Sequence, residues 1–386
     1  MRLDDVRVLD LTRLLPGPYA TQLLADLGAD VIKVEDTGAG DYARDMRPTR
    51  GDGDGEVGAV FDAVNRGKRS AALDLKTDAG RRAFYDLAAD ADAVVESFRP
   101  GVVDRLGVDY GTVSEHNPEV VYCSLTGYGQ TGPLADRPGH DLDYAARAGF
   151  LDVTRADEGT APPLPGYPIA DLGGGLFAAF AVVSALLSRE LGGSGGEYVD
   201  VSMTDVLASF GQTVAPAALD GEDPRPGETW LTGAAPWYGV YETADERYVA
   251  LGALEPQFWA SFCEAIDRGD LVDYHGTEDP AERAALREEL RAEFAARPLA
   301  AWRDLSAPTV EPVLTPAEAF SSDLAAAREW IADADGRPRV GFPAVCDRPE
   351  SDESLPGHGE HTAAVLREAG LDEGRIERLR ERGAAL

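Results

Sequence analysis

The first two hundred residues alternate short β-branched runs with stretches of helical period. Val6 to Leu11 predicts a strand, Tyr19 to Leu27 a helix and Val31 to Val34 a second strand; Ser70 to Leu75, Ala93 to Glu96 and Val120 to Leu125 continue the series. Strands alternating with helices predict a parallel α/β sheet, because only a crossover returns the chain to the same end. A long helix is written from Leu172 to Glu190, with Asp171 as its N-cap, Arg189 in its last turn and the glycine-rich Gly192 to Gly196 as its stop. EYVDVSM then reads as another strand.

Residues 216 to 235 change character: Pro, Gly and acids predominate with little apolar period, which predicts a linker or mobile loop. Beyond it, Tyr238 to Thr243 and Arg247 to Leu251 predict a hairpin turning at Ala244-Asp245-Glu246. Helices follow at Gln257 to Ile266 and Ala281 to Ala296. This is a second, smaller α+β unit. The tail from His361 to Arg382 carries two amphipathic helices joined at Gly370-Leu371-Asp372, and no internal repeat or low-complexity tract appears.

At 386 residues the chain is long enough for two or three domains and a full core. Its net charge of −33, spread along the whole length, repels phosphate backbones and anionic headgroups, which argues against nucleic acid or a membrane surface as partner. Only Lys33, Lys68 and Lys76 are lysines. Acid excess with scarce lysine points to a halophile, since the Debye length falls to about 3 Å at 1 M salt and screens self-repulsion. Cys123, Cys263 and Cys346 are odd in number and lack CxxC spacing, which predicts neither disulfides nor a zinc site and fits a reducing cytoplasm. Charges interrupt the amino terminus, and no run approaches the ~18 uninterrupted apolar residues of a membrane span.

The candidate chemistry is sparse. The five histidines never fall at i, i+4, and His358-Gly-Glu-His361 reads as a loop of solvated histidines, so no metal is expected. GxSxG, Walker and post-strand GxGxxG motifs are absent. Pro16-Gly17-Pro18 predicts a rigid turn between strand and helix, where α/β ligands sit. The cations of Asn65-Arg66-Gly67-Lys68-Arg69, and Arg99 in Phe98-Arg99-Pro100-Gly101, stand out in so acidic a chain. They suit a phosphate-bearing ligand, or else they offset neighbouring acids. His140 follows a Pro-Gly turn in Gly139-His140-Asp141, and imidazole titrates nearest neutral pH. Asp171 precedes Gly173-Gly174-Gly175, where backbone can approach a ligand and free helix N–H groups could hold an oxyanion; capping alone would also explain it.

Together PGPYATQLLADLGADVIKVE, NRGKRSAALDLK, ESFRPGVVDRLGVDY, SLTGYGQTGP, GHDLDY, PIADLGGG and GALEPQF resemble the class III CoA-transferase family, from about residue 3 to the C-terminus. The resemblance implies a Rossmann-like large domain formed by residues 1–215 and a returning segment 321–386. A small domain, 236–320, is inserted after the linker, and two subunits interlock as a homodimer. It places the acyl-CoA nucleotide near Pro16, Gly17, Pro18, Tyr19 and Ala20, near Arg66, Lys68 and Arg69, and near Arg99, Gly127 and Tyr128. No cofactor is implied beyond the CoA carried by the substrate itself.

Two chemistries occur in such proteins. In the transferases an aspartate at the position of Asp171 forms an acyl anhydride and then an aspartyl-CoA thioester. In the α-methylacyl-CoA racemases that aspartate works with the histidine of a Gly-His-Asp motif, and Gly139-His140-Asp141 and Pro165 to Gly175 resemble the racemase version. Inverting a carbon beside a thioester calls for an acid/base group on each face, which His140 and Asp171 would supply. The N–H groups opening the Leu172 helix are the expected donors to the enolate oxygen. Burial would have to raise the aspartate's proton affinity for the pair to alternate near neutral pH. Two positions depart from the family: Val34-Glu35-Asp36 stands where many members carry an arginine, and Gly239 where some racemases orient the histidine with a carboxylate. Asp141, Glu242 or a water is then left to orient His140.

Overall fold

Aliphatic and β-branched residues fill both faces of the principal strands because helices cover both faces. The computed structural model describes residues 1–193, 195–305, 307, 309–334, 336–349 and 353–386; Ser194, in the expected helix stop, lies outside them. β1 (Arg7–Asp10), β2 (Asp30–Glu35), β3 (Arg69–Ala72), β4 (Ala93–Glu96), β5 (Val121–Thr126) and β6 (Glu197–Ser202) form one sheet in the order β3-β2-β1-β4-β5-β6. All neighbours are parallel. This is the Rossmann-like α/β architecture, and the order reverses between β1 and β4, where carboxyl-end loops diverge and open a crevice.

α1 (Pro16–Ala25), α2 (Asp78–Ala88), α3 (Asp141–Arg147), α4 (Ile169–Glu190) and α5 (Met203–Phe210) accompany the sheet. α1 and α4 pack on one face; on the other, Phe84 and Leu87 of α2 join Leu9, Ile32, Val94 and Tyr122 in one buried cluster. Two helix starts differ from expectation. α1 begins at Pro16, so Pro16-Gly17-Pro18 is its first turn, where a missing proline N–H costs nothing. α4 begins at Ile169 with Pro168 at the N-cap, which puts Asp171 inside the first turn. α4 is also long and apolar enough to cross a membrane by length and composition. Half of its most apolar window is buried within the chain, against α1, β5 and α5, as in a core helix.

The chain divides into two compact units: Met1–Ala148, Pro165–Phe210 and Ala327–Leu386 form the first, Gly149–Leu164 and Gly211–Ala326 the second. In the second, β7 (Tyr238–Glu242), β8 (Tyr248–Gly252) and β9 (Val310–Pro312) make an antiparallel sheet in the order β9-β8-β7. It encloses, with α6 (Pro256–Ala265) and α7 (Pro280–Ala295), a core of Trp237, Trp259, Phe262, Phe294 and Trp302. The stretch read as a linker contains helical segments at Ala215–Leu219 and Trp230–Thr232.

The returning segment carries α8 (Thr362–Glu368) and α9 (Glu373–Glu381), whose Val365, Leu366 and Ile376 enter the first unit's core. His358 and His361, expected to be solvated, are half-buried tethers: His358 Nε2 contacts the Asp36 carbonyl at 2.8 Å, and His361 Nδ1 accepts the Ser70 N–H at 3.2 Å. Turn residues had disguised a segment that docks on the sheet edge.

Candidate active site

Where β1 ends, buried charge fixes the turn into α1. Asp10 is fully buried and accepts hydrogen bonds from the Thr12 N–H (2.9 Å), the Thr21 hydroxyl (2.7 Å) and the Lys68 ammonium (3.1 Å). Burial opposes its ionisation, but Lys33 and Lys68 hold its carboxyl well below the usual range. Lys33 donates to the Thr12 carbonyl at 2.9 Å and pairs with Asp41 at 2.9 Å, and Asp41 accepts the Leu14 N–H at 3.1 Å. Leu14 needs that hold, since its φ of 68° is left-handed, a conformation that costs a side-chain-bearing residue about 1–2 kcal/mol. The network thus aims Arg13 and Leu14 at the crevice.

A cavity of about 310 Å³ lies there. Arg13, Leu14 and Pro16 line it after β1, Ser97 to Pro100 after β4, and Leu125 to Tyr128 at the end of β5; His140, Tyr144, Asp171 and Met203 close it, with Arg137 at one wall. A second cavity, of about 420 Å³, shares Arg13 and Phe98 with the first and runs over the ends of β2 and β3 past Asp36, Tyr42 and Leu73 to Lys76. Arg13 stands between them, hydrogen-bonded to Asp36 at 2.8 Å and stacked on Tyr42 and Phe98 at 5.0 and 5.6 Å. Arg99 and Arg137 have no ion-pair partner among the described residues.

Asp171 is half-buried, and burial first, then the negative charge of Asp141, pushes its carboxyl up to about 7. Tyr144 is pushed up to about 12 by burial and by Asp171 beside it, and its hydroxyl donates to the Gly139 carbonyl at 2.6 Å. His140 is exposed at the cavity, its backbone N–H donating to the Asp143 carboxylate at 2.9 Å as α3 begins. Asp141 turns the other way. Its Oδ1 accepts the Ala170 and Asp171 N–H groups at 2.6 and 3.1 Å, while the Leu172 N–H bonds the Pro168 carbonyl within α4. The expected oxyanion donors are therefore occupied, because a carboxylate is the natural cap for a helix's positive end.

A third acid borders the site. Glu96 is fully buried, accepts the Phe98 N–H at 2.7 Å and so shapes the Ser97–Pro100 turn. Burial, with Asp104 and Asp200 nearby, pushes it up to about 7.

Of the expected ligand contacts, the structure brings Pro16, Arg99, Gly127, Tyr128, His140 and Asp171 to one cavity. Gly17, Pro18 and Ala20 are buried in α1 and Tyr19 is half-buried behind the wall. Arg66, Lys68 and Arg69 line neither cavity. Arg66 pairs with Asp62 (2.6 Å) and Arg69 with Asp30 (2.6 Å) and Glu368 (2.8 Å), while Lys68, lowered to about 8 by burial and by Lys33, is locked on Asp10. Arg66 and Lys68 offset buried acids, and Arg69 offsets acids at the surface. Gly173 to Gly175 also serve packing: a Cβ on Gly174 would lie 2.5 Å from Met203, and one on Gly175 2.4 Å from the Pro16 carbonyl oxygen. Sequence reasoning missed Arg13, Arg137 and Tyr144; Arg13, three residues past the end of β1, offered a signal. Among the described residues no group of three or more His, Cys, Asp or Glu side chains is placed to hold a metal ion.

Comparison with known proteins gives a consistent outcome. The profile of CoA-transferase family III matches residues 3–362. A succinyl-CoA:mesaconate CoA-transferase of Haloarcula marismortui is 38% identical over 96% of this chain and 97% of its own. An alpha-methylacyl-CoA racemase of Mus musculus is 35% identical over 98% of this chain and 96% of its own. The crystal structure of a CAIB/BAIF family protein from Brucella suis superposes with a TM-score of 0.81 at 30% identity, covering 95% of this chain and 98% of that one.

Proposed function

The chain belongs to CoA-transferase family III, and within it we propose an acyl-CoA racemase or epimerase that inverts the α-carbon of a 2-methylacyl-CoA thioester. The observation that carries this reading is one cavity lined by both His140 and an aspartate whose carboxyl stands at about 7. Such a carboxyl both holds and releases a proton near neutral pH, as a group working in both directions must. In one direction the Asp171 carboxylate takes the α-proton, the C–H electron pair moves into the thioester as an enolate, and the His140 imidazolium returns a proton to the opposite face. The reverse direction exchanges the roles. Because Asp141 occupies the α4 N–H groups, the guanidinium groups of Arg99 and Arg137, without an ion-pair partner among the described residues, are the donors we assign to the enolate oxygen. The nucleotide would extend over Arg13 and Phe98 into the second cavity towards Lys76.

A second reading, CoA transfer between carboxylic acids, draws its support from the mesaconate CoA-transferase relative. There the Asp171 carboxylate would attack the thioester carbonyl, expel CoA thiolate and form a mixed anhydride. Incubation of either 2-methylacyl-CoA epimer in D2O separates the two. Racemisation puts deuterium at C2 and converges on both epimers without a second carboxylate, and His140→Ala lowers that rate by about 10²- to 10⁴-fold. No deuterium at C2, with CoA moved to an added acid by the His140→Ala protein, would establish the transferase instead.

We further propose a cytoplasmic homodimer. The free thiols of Cys123, Cys263 and Cys346 fit a reducing compartment, and α4 leaves Leu176, Phe177, Phe180 and Leu187 exposed, an apolar face that a second copy would cover. Sedimentation showing a folded, active monomer near 41 kDa would exclude the dimer.

A further inference from the structure

Away from both cavities, a groove of about 220 Å³ opens between α2 and the segment that carries α9. Its walls are guanidinium groups: Arg82 from α2, Arg375 and Arg378 from α9, and Arg382 at the end of α9. Ala83 and Leu379 are buried at its floor. Arg375 pairs with Asp86 at 2.8 Å. The guanidinium groups of Arg82, Arg378 and Arg382 have no hydrogen-bond or ion-pair partner among the described residues.

That arrangement has a physical cost. Arg375, Arg378 and Arg382 follow one another at spacings of three and four, so they share a helix face and repel. The preceding positions on the same stripe, Leu371 and Gly374, carry no acid, and Glu381 makes no ion pair with Arg378. The helix dipole favours a cation in the last turn of α9, but it does not account for Arg82 on the neighbouring helix lining the same groove. In a chain with nearly twice as many acids as bases, 69 against 36, three unpaired arginines converging on one concavity are the opposite of the prevailing composition.

We propose that this groove binds a small phosphate-bearing anion. Guanidinium forks match phosphate oxygens in bidentate pairs, and four of them can surround a diphosphate. The size limits the ligand, since drug-sized molecules take roughly 300–1,000 Å³; a groove of 220 Å³ suits inorganic phosphate or diphosphate rather than a whole nucleotide. The inference is independent of the chemistry at His140 and Asp171.

The test is calorimetric titration of inorganic diphosphate into the full chain, with wild type compared with Arg378→Gln/Arg382→Gln and with Arg303→Gln/Arg328→Gln, which removes the same charge from exposed positions outside the groove. Running it near 1 M KCl suppresses long-range attraction and leaves direct contacts. Wild type and the control pair should show one saturable site of equal affinity, and the groove variant should bind at least about tenfold more weakly. All four substitutions are at exposed side chains, and matching circular dichroism confirms the fold. Absence of saturable binding in wild type, or binding that the groove variant keeps at full strength, would overturn the proposal.

Discussion

Replacing Asp171 with asparagine should make the protein more stable at alkaline pH while disabling its chemistry. The Asp171 carboxyl rises from 3.8 to about 7 on folding, because burial and Asp141 disfavour its charge. A group raised in this way favours the folded state most below its unfolded value, and that advantage drains away as pH climbs through its folded value. At about 1.4 kcal/mol per pH unit, the interval from 3.8 to about 7 caps the cost of the ionised carboxylate at about 4 kcal/mol. Solvent reaching the half-buried side chain trims this towards about 2–3 kcal/mol. Asparagine never ionises, and among the described residues the Asp171 carboxylate makes no hydrogen bond that the substitution would break.

Urea unfolding of both proteins between pH 4 and 8, at one fixed salt concentration, measures the difference. Far-ultraviolet dichroism is the suitable probe, because four of the five tryptophans, Trp230, Trp237, Trp259 and Trp302, belong to the second unit, whereas Asp171 shares the first with Trp330 alone. The curves should nearly coincide at pH 4 and separate steadily towards pH 8, with Asp171→Asn the more stable. A variant no more stable at pH 8, or a gap that ignores pH, would refute the argument that burial holds this carboxyl near neutrality. Glu96→Gln should show the same sign more weakly, because the Glu96 carboxylate gains back part of its cost from the Phe98 N–H.

Three other outcomes follow from the same physics. Gly175→Ala should destabilise by about 1–3 kcal/mol in thermal unfolding, despite alanine's better helix propensity, since its Cβ would lie 2.4 Å from the Pro16 carbonyl oxygen. Lys68→Met should cost about 3–5 kcal/mol in urea unfolding, because it removes one of the two cations that balance buried Asp10. We also propose dependence on high salt from the −33 charge: the thermal midpoint should climb between roughly 0.1 and 3 M KCl, and a flat profile would rule it out.

The sheet was legible because its determinants are local. Ala93 to Glu96 is the observed strand, and Val31 to Val34 lies within Asp30–Glu35, since β-branched runs between turn residues leave few alternatives. Charged residues misled for a physical reason. Arg66, Lys68 and Arg69 stand out beside one another in sequence, and while Arg66 has a local partner in Asp62, four residues earlier, Lys68 and Arg69 find Asp10, Asp30 and Glu368 on three distant segments. Linear proximity identifies a cluster of cations but not the acids that will neutralise it. Arg13 went unmarked for the converse reason, its role being defined by Asp36 and Tyr42 from the connection after β2 and by Phe98 from the turn after β4.

The Gly139-His140-Asp141 triplet shows how the two kinds of information combine. Consecutive residues at the start of α3 point in different directions, so the motif divides its work: His140 lines the cavity while Asp141 caps α4. That cap sets the chemistry of Asp171 thirty residues later. Asp141 fixes the first turn of α4 through two N–H groups and leaves its own negative charge beside the Asp171 carboxyl. Packing Gly175 against Pro16 holds the next turn of α4 on α1. The raised proton affinity is therefore a property of three segments meeting, and any change that loosens α4 from α1 or α3 admits water and returns Asp171 to an ordinary, ionised carboxylate. A carboxylate so released would keep its charge but lose its capacity to hold a proton near neutral pH, which is the property that alternating proton transfer with His140 requires.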